Sequence, residues 1–137
     1  MADCVNALKE WTGNVNTTII YDSTVDEFTH HGLFEKVRGK SNIAVVGFTT
    51  DGDVFGGFYN VAVTATNTLY YDPNMFVFSF ESHGRCLTPQ RFTVKEGRKK
   101  DTFVRFWERD TNRFLLFGGY DNRFNLGNGK TNVYCHC

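Results

Sequence analysis

The fold is decided by the stretch IAVVGFTTDGDVFGGFY, residues 43–59, in which an Asp-Gly pair separates two apolar runs. An Asp-Gly pair between apolar runs favours a β-hairpin, because both residue types tolerate the backbone angles of a tight turn. The return run contains Gly56-Gly57, and paired glycines inside a strand indicate a bulge or the close approach of another segment. We therefore predict two antiparallel strands joined by a short turn.

Further strands are predicted toward the C-terminus. Phe76, Phe78 and Phe80 alternate with other residue types, so their three rings face one side of a core strand. The alternating run 103–108 is predicted to return as a paired strand over 113–117. A last short strand is expected over residues 133–135.

Helices are predicted near the N-terminus. Residues 3–11, capped by Asp3, and residues 29–38 carry apolar side chains at helical spacing. The β-branched run 17–21 is predicted to be a strand.

Two stretches show little regular pattern. Residues 82–101 are rich in turn and charged residues, and residues 120–129 form a Gly/Asn-rich loop by composition. The whole pattern predicts an α+β fold, a mostly antiparallel β-sandwich of two sheets flanked by two short helices.

Composition narrows the class of protein. A chain of 137 residues has room for one domain, and 16% aromatic residues favour a β-rich core. The formal net charge is zero, which argues against a protein devoted to nucleic acid or an anionic membrane. We see no apolar run long enough to span a bilayer and no secretory signal, so we expect reduced cysteines and a cytoplasmic or nuclear location.

The order of these motifs resembles the TLDc domain family. The matching stretches are Ile19–Ser23, Val37–Lys40, Ile43–Phe48, Asp51-Gly52, Val54–Phe58, Phe76–Phe80 and Phe117–Gly119. Members of the family continue with a further strand after a late Cys, whereas this chain stops at Cys137. We therefore expect one domain over residues 1–137, a divergent or C-terminally shortened member.

The resemblance implies a β-sandwich flanked by helices, and a role in oxidative-stress protection or in binding the vacuolar proton-pumping ATPase. It supplies no catalytic, cofactor-binding or metal-binding residues. It also implies that the turn glycine, the neighbouring aromatic residue and the paired glycines determine the fold. These positions are Gly52, Phe55, Gly56, Gly57, Gly118 and Gly119.

Several motifs invite catalytic or ligand-binding interpretations. Gly129-Lys130-Thr131 ends like a P-loop, but Phe124 stands where that motif requires Gly, and neither a preceding strand nor a following helix is predicted. Cys135-His136-Cys137 lacks a second pair of metal ligands. His30-His31 falls at a predicted helix start, where a solvated helix end is the simpler interpretation. His83 and Cys86 lie three residues apart, a spacing that carries little information about a nucleophilic pair.

A basic stretch gives the strongest signal for partner binding. Its residues are Arg91, Lys95, Arg98, Lys99 and Lys100. The nearby Phe92, Phe103 and Trp107 could stack nucleic-acid bases beside these charges, although Glu96, Asp101, Glu108 and Asp110 dilute the charge. We interpret the chain as a non-enzymatic protein-interaction module, with a nucleic-acid-binding regulator as the alternative, and leave its oligomeric state open.

Overall fold

The computed structural model describes residues 2–14, 16–82, 88–94, 97, 102–108, 113–118 and 123–127. Two helices and eight strands lie in these ranges. The helices are α1 (Ala2–Thr12) and α2 (His30–Val37), and the strands are β1 (Ile43–Phe48), β2 (Val54–Tyr59), β3 (Tyr70–Tyr71), β4 (Phe76–Glu81), β5 (Gln90–Thr93), β6 (Phe103–Phe106), β7 (Arg113–Gly118) and β8 (Arg123–Gly127).

The strands form two four-stranded sheets. Sheet A has the order β1-β2-β4-β5, and sheet B has the order β3-β6-β7-β8. Every pair of neighbouring strands is antiparallel. The predicted α+β sandwich with two flanking helices is therefore confirmed.

The predicted hairpin is also confirmed. β1 and β2 pair along their full length. In the turn, Gly52 N–H donates to the Thr49 carbonyl at 3.1 Å, and Thr49 N–H donates to the Asp53 carbonyl at 3.0 Å. Gly52 has a φ of +93°, which a residue with a side chain adopts only at a cost, so this glycine sets the turn.

β2 divides its side chains between the two faces of sheet A. Phe55 and Tyr59 pack into the cluster between the sheets, whereas Phe58 packs on the opposite face. A register shift lies between Val54 and Phe55, ahead of the paired glycines. Side chains of β2 therefore belong to both hydrophobic clusters, one on each face of sheet A.

The paired glycines allow close approach on both faces. A Cβ on Gly57 would lie 2.9 Å from the ring of Phe117 in sheet B. A Cβ on Gly56 would lie 2.8 Å from the Phe78 ring and would overlap the Val45 carbonyl oxygen. The predicted close approach is thus confirmed. Gly118 ends β7, as predicted, and Gly119 lies outside the described residues.

Aromatic rings dominate the cluster between the sheets. The ring of Tyr59 lies 6.0 Å from that of Phe106 and 5.9 Å from that of Phe117, and α2 adds Phe34 at 5.5 Å from Phe106. The buried members are Leu33, Phe34, Val37, Ile43, Tyr59, Val63, Met75, Val104, Phe106, Phe114, Leu115 and Phe117. Burial of this apolar surface is the main force that holds the two sheets together.

Helix α1 covers the other face of sheet A. The ring of Trp11 lies 5.9, 6.2 and 6.0 Å from the rings of Phe76, Phe78 and Phe80. Leu8 is buried in the same cluster. The three Phe rings face one way, as predicted, and their partner is the N-terminal helix and not sheet B.

Asp72 is a buried carboxylate that organises the chain between β2 and β4. Its Oδ2 accepts hydrogen bonds from the backbone N–H groups of Asn60 and Val61, and its Oδ1 accepts one from Asn74 N–H at 2.9 Å. These donors satisfy a charged group that would otherwise be costly to bury.

Tyr70 also stabilises the segment between β2 and β4 through its hydroxyl group. Its hydroxyl oxygen accepts from Ala65 N–H at 3.0 Å and lies 3.1 Å from the Thr64 hydroxyl. The hydrogen bond to the Thr64 side chain lowers the pKa of Tyr70.

Helix α2 begins and ends as its sequence predicts. Thr29 is the N-cap, and its hydroxyl accepts from Gly32 N–H at 3.0 Å. Leu33, Phe34 and Val37 form its buried face. α1 begins one residue before the predicted start, so Asp3 lies inside its first turn and is not the cap.

The predicted strand over residues 17–21 is wrong. The segment has no regular structure, with Ile19 in solvent and Ile20 and Tyr21 against the inter-sheet cluster. β-branched residues favour extended backbone, but a strand needs a neighbour. No described strand pairs with this segment.

Residues 120–129 and 82–101 also differ from expectation. The first contains β8, which pairs with β7, and the second contains β5, which pairs with β4. Pairing with a neighbouring strand outweighs a local composition that is poor in strand formers. β3 was likewise not predicted, and the strand expected over 133–135 lies outside the described residues.

We expect Gly57→Ala to lower the free energy of unfolding by about 1–3 kcal/mol, because the added methyl overpacks the core. Urea denaturation followed by circular dichroism measures this. In a Phe117→Leu background, Gly57→Ala should lower the free energy of unfolding by less, because the ring that the added methyl would contact is absent. Equal costs in both backgrounds would contradict the proposed contact.

Tyr59→Phe should raise the free energy of unfolding by about 1 kcal/mol at neutral pH, because the buried Tyr59 hydroxyl has no hydrogen-bond partner among the described residues. Burial also raises the pKa of Tyr59. Ionisation of Tyr59 therefore leaves the free energy of unfolding unchanged below the unfolded-state pKa of about 10. Above that pH the unfolded state loses the Tyr59 proton first, and the free energy of unfolding falls. Urea denaturation at neutral pH and at about pH 10.5 should show a smaller alkaline loss in the variant.

Candidate functional site

Arg91 is the one member of the predicted basic stretch whose side chain the structure describes. Its Nη1 donates to the carbonyl of Trp11 at 3.3 Å, and its guanidinium lies 5.6 Å from the centre of the Phe76 ring. Arg91 therefore links the last turn of α1 to sheet A. Lys95, Arg98, Lys99 and Lys100 lie outside the described residues.

The aromatic residues near this stretch have different environments. Phe92 is 55% exposed, whereas Phe103 is only 4% exposed and belongs to the core of sheet B. Trp107 is partly buried, and its ring lies 4.0 Å from the guanidinium of Arg105. The predicted use of Phe103 as a base-stacking residue is therefore wrong, because its ring is packed in the core.

A structured loop precedes α2. Oδ1 of Asp22 accepts from the N–H and hydroxyl of Thr24 at 2.9 and 2.7 Å, and these hydrogen bonds lower the pKa of Asp22. Asp22 N–H donates to the Asp26 carboxylate at 2.8 Å. The Tyr21 hydroxyl donates to the Glu27 carbonyl at 2.9 Å, and burial, followed by the nearby carboxylates, raises the pKa of Tyr21. The loop is thus held by its own hydrogen bonds.

The same loop is fixed against α2. Lys36 Nζ lies 3.8 Å from the Asp26 carboxylate. The backbone at Gly32 is so close to Glu27 that a Cβ there would overlap the Glu27 carbonyl oxygen. This contact explains a glycine in the first turn of a helix, where its intrinsic propensity is unfavourable.

Residues 19–28 expose apolar side chains to solvent. Ile19 is 83% exposed, Val25 is 82% exposed, and Phe28 is half-exposed with its ring 5.2 Å from that of Phe114. We call these three side chains the apolar loop patch. Sequence reasoning missed it, because Ile19 was assigned to a strand. The turn-forming residues that follow Tyr21 are a local signal against that assignment.

Helix α2 also borders a cleft of about 340 Å³. Its lining residues are His30, His31, Phe34, Arg38, Thr66 and Glu108. The two histidines stand at the helix start, as predicted. The Arg38 guanidinium is 2.8 Å from the Glu35 carboxylate and 5.2 Å from the centre of the Phe34 ring, so this cation is already engaged by its own helix.

The other sequence motifs find little support in the described residues. Those residues contain no group of three or more His, Cys, Asp or Glu side chains able to hold a metal ion. A strand does precede the P-loop-like stretch, contrary to expectation, since β8 ends at Gly127. Phe124 still occupies the position of the required glycine.

Of the remaining candidate thiols and imidazoles, Cys4 lies within the described residues. Cys86, Cys135, Cys137, His83 and His136 lie outside the described residues. Cys4 is a free thiol packed against the Phe cluster under α1. In the described part of the chain, neither helix has the length and apolar character needed to cross a membrane.

A family model described as TLDc domain matches residues 3–136 of the chain. The match runs through both helices and both sheets, so it concerns the whole sandwich. Comparison with curated proteins and with solved structures found no match.

Arg91→Ala should lower the free energy of unfolding by about 1–2 kcal/mol, because it removes a charged hydrogen bond between sheet A and α1 and a cation–π contact with Phe76 within sheet A. Thermal or urea denaturation measures this. The matched control is Gln90→Ala at an exposed position of the same strand, and we expect it to leave stability within about 0.5 kcal/mol of the wild type. An unchanged stability in Arg91→Ala would contradict the linking role.

Proposed function

The chain belongs to the TLDc domain family, and from this membership we propose that it is a non-enzymatic protein-interaction module of the oxidative-stress response. TLDc domains are generally non-catalytic regulatory modules that bind other proteins. We further propose the vacuolar proton-pumping ATPase as the machinery on which it acts. The observation that carries the proposal is the family match over residues 3–136.

The apolar loop patch is the part of the described surface best suited to hold a protein partner. Single exposed apolar residues are common, but here Ile19, Val25 and Phe28 lie within ten consecutive residues. The loop hydrogen bonds around Asp22 and the contact with α2 hold the patch in place. A surface that is already ordered loses less conformational entropy when it binds.

The charges around the patch indicate the kind of partner it would accept. Asp22 and Glu27 are exposed on the same loop, and Asp26 is partly buried beside Lys36. Carboxylates around an apolar centre favour a partner with an apolar anchor and basic residues around it.

The proposal is tested with the full chain as bait. We expect the wild type to retain proton-pump subunits from a cell extract in moderate salt, identified by mass spectrometry. Ile19→Ser with Val25→Ser should weaken this binding by about tenfold or more, because it removes the two most exposed apolar side chains of the patch. Both side chains are in solvent, so the variant should unfold like the wild type.

The control is Phe92→Ser, which removes an exposed aromatic ring from sheet A. It should bind the pump subunits as the wild type does. Absence of pump subunits would defeat the proton-pump assignment, and absence of every specific protein would defeat the interaction module. A nucleic-acid-dependent eluate that salt removes, and that is lost on replacing Arg98, Lys99 and Lys100 with Ala, would instead support the alternative.

A further inference from the structure

The two edges of sheet A differ in how they are protected. β5 carries Arg91 and follows Pro89, and both a charged residue and a proline discourage pairing with another strand. β1, with the sequence IAVVGF, has no charged residue and no proline. Among the described residues, β1 pairs only with β2. An uncharged apolar edge strand is a template for strand addition.

The hydrogen-bonding direction of β1 follows from two contacts. The Val45 carbonyl points toward β2, since a Cβ on Gly56 would overlap its oxygen, and Thr49 N–H donates to Asp53 at 3.0 Å on the same side. Residues along an antiparallel strand alternate in the direction of their backbone groups. The N–H and C=O groups of Ala44, Val46 and Phe48 therefore face the outer edge.

Side chains at the same three positions are accessible on the face of sheet A that carries α1. Val46 packs partly into the cluster under α1, Ala44 is exposed, and Phe48 is 65% exposed. Phe48 is an unusually large apolar side chain to leave in solvent at the end of an edge strand. It lies two residues beyond Val46, and the small Ala44 lies two residues before it.

We propose that β1 pairs with β1 of a second copy of this chain, forming an antiparallel two-fold dimer centred on Val46. In this register, Val46 lies opposite Val46 of the second copy, and Ala44 lies opposite the second copy's Phe48. Each of these pairs exchanges two hydrogen bonds between outward-facing backbone groups. The two-fold axis repeats the Phe48–Ala44 contact, which places a large ring beside a methyl group at both ends.

A second copy is the occupant that this edge fits best. The pairing register brings the largest exposed side chain of β1 opposite its smallest exposed one. Strand β1 carries no charge, and the formal net charge of the whole chain is zero, so two copies meet without net repulsion. The inference is independent of the proposed partner of the apolar loop patch, which lies on another segment.

Analytical ultracentrifugation of the full chain over a range of concentrations tests the dimer. We expect a reversible monomer–dimer equilibrium in the wild type. Ala44→Lys with Phe48→Lys should abolish it, because lysines then face each other across both ends. Ala44→Lys with Phe48→Glu places opposite charges face to face, and it should dimerise at least about tenfold more tightly than the double-lysine variant.

The matched control is Gln90→Lys with Phe92→Lys on the opposite edge, which should dimerise like the wild type. Amide hydrogen exchange supplies a second readout: protection at Ala44, Val46 and Phe48 should rise with concentration, since their N–H groups enter the interface. A wild type that stays monomeric at every concentration would overturn the proposal. A dimer that survives in the double-lysine variant would overturn it as well, because its interface would lie elsewhere.

Discussion

The contact between the backbone of β2 at Gly57 and the ring of Phe117 is the constraint on which the rest of the structure depends. Packed sheets normally lie about 10 Å apart, with side chains from both filling the space. At this point the Phe117 ring rests on bare backbone, since a Cβ on Gly57 would lie only 2.9 Å from it. Tyr59 and Phe106 pack around that ring. One glycine therefore sets where sheet B sits on sheet A.

The neighbouring Gly56 has the corresponding effect on the other face. It leaves room for the Phe78 ring, and the row of Phe rings on β4 then receives Trp11 of α1. Arg91 adds a hydrogen bond to the carbonyl at the end of that helix. Two adjacent residues without side chains thus allow three layers to pack on one strand. The aromatic residues that bias the composition mostly pack in these layers, and the large apolar side chains left exposed among the described residues are divided between the loop before α2 and the strands.

The candidate site was predicted only in part. Sequence reasoning found Arg91 as a notable basic residue but not its role in holding α1, and it treated Phe103 as available although the ring is buried. It placed the histidine pair at the start of α2 correctly. It missed the exposure of Ile19 and Val25, because exposure depends on whether a distant segment covers a side chain. The turn-forming residues after Tyr21 argue locally against a strand, but they do not show which side chains remain in solvent.

The sequence by itself determined the Asp-Gly hairpin, the alternating Phe strand, helix α2 and the family to which the chain belongs. These features depend on residues within a few positions of each other, where turn geometry, capping and side-chain alternation act. Only the tertiary structure decided that α1 covers the Phe row, that residues 17–21 join no described sheet and that β8 pairs with β7. Strand pairing and burial are contacts between distant parts of the chain, and their energy depends on which neighbour is present.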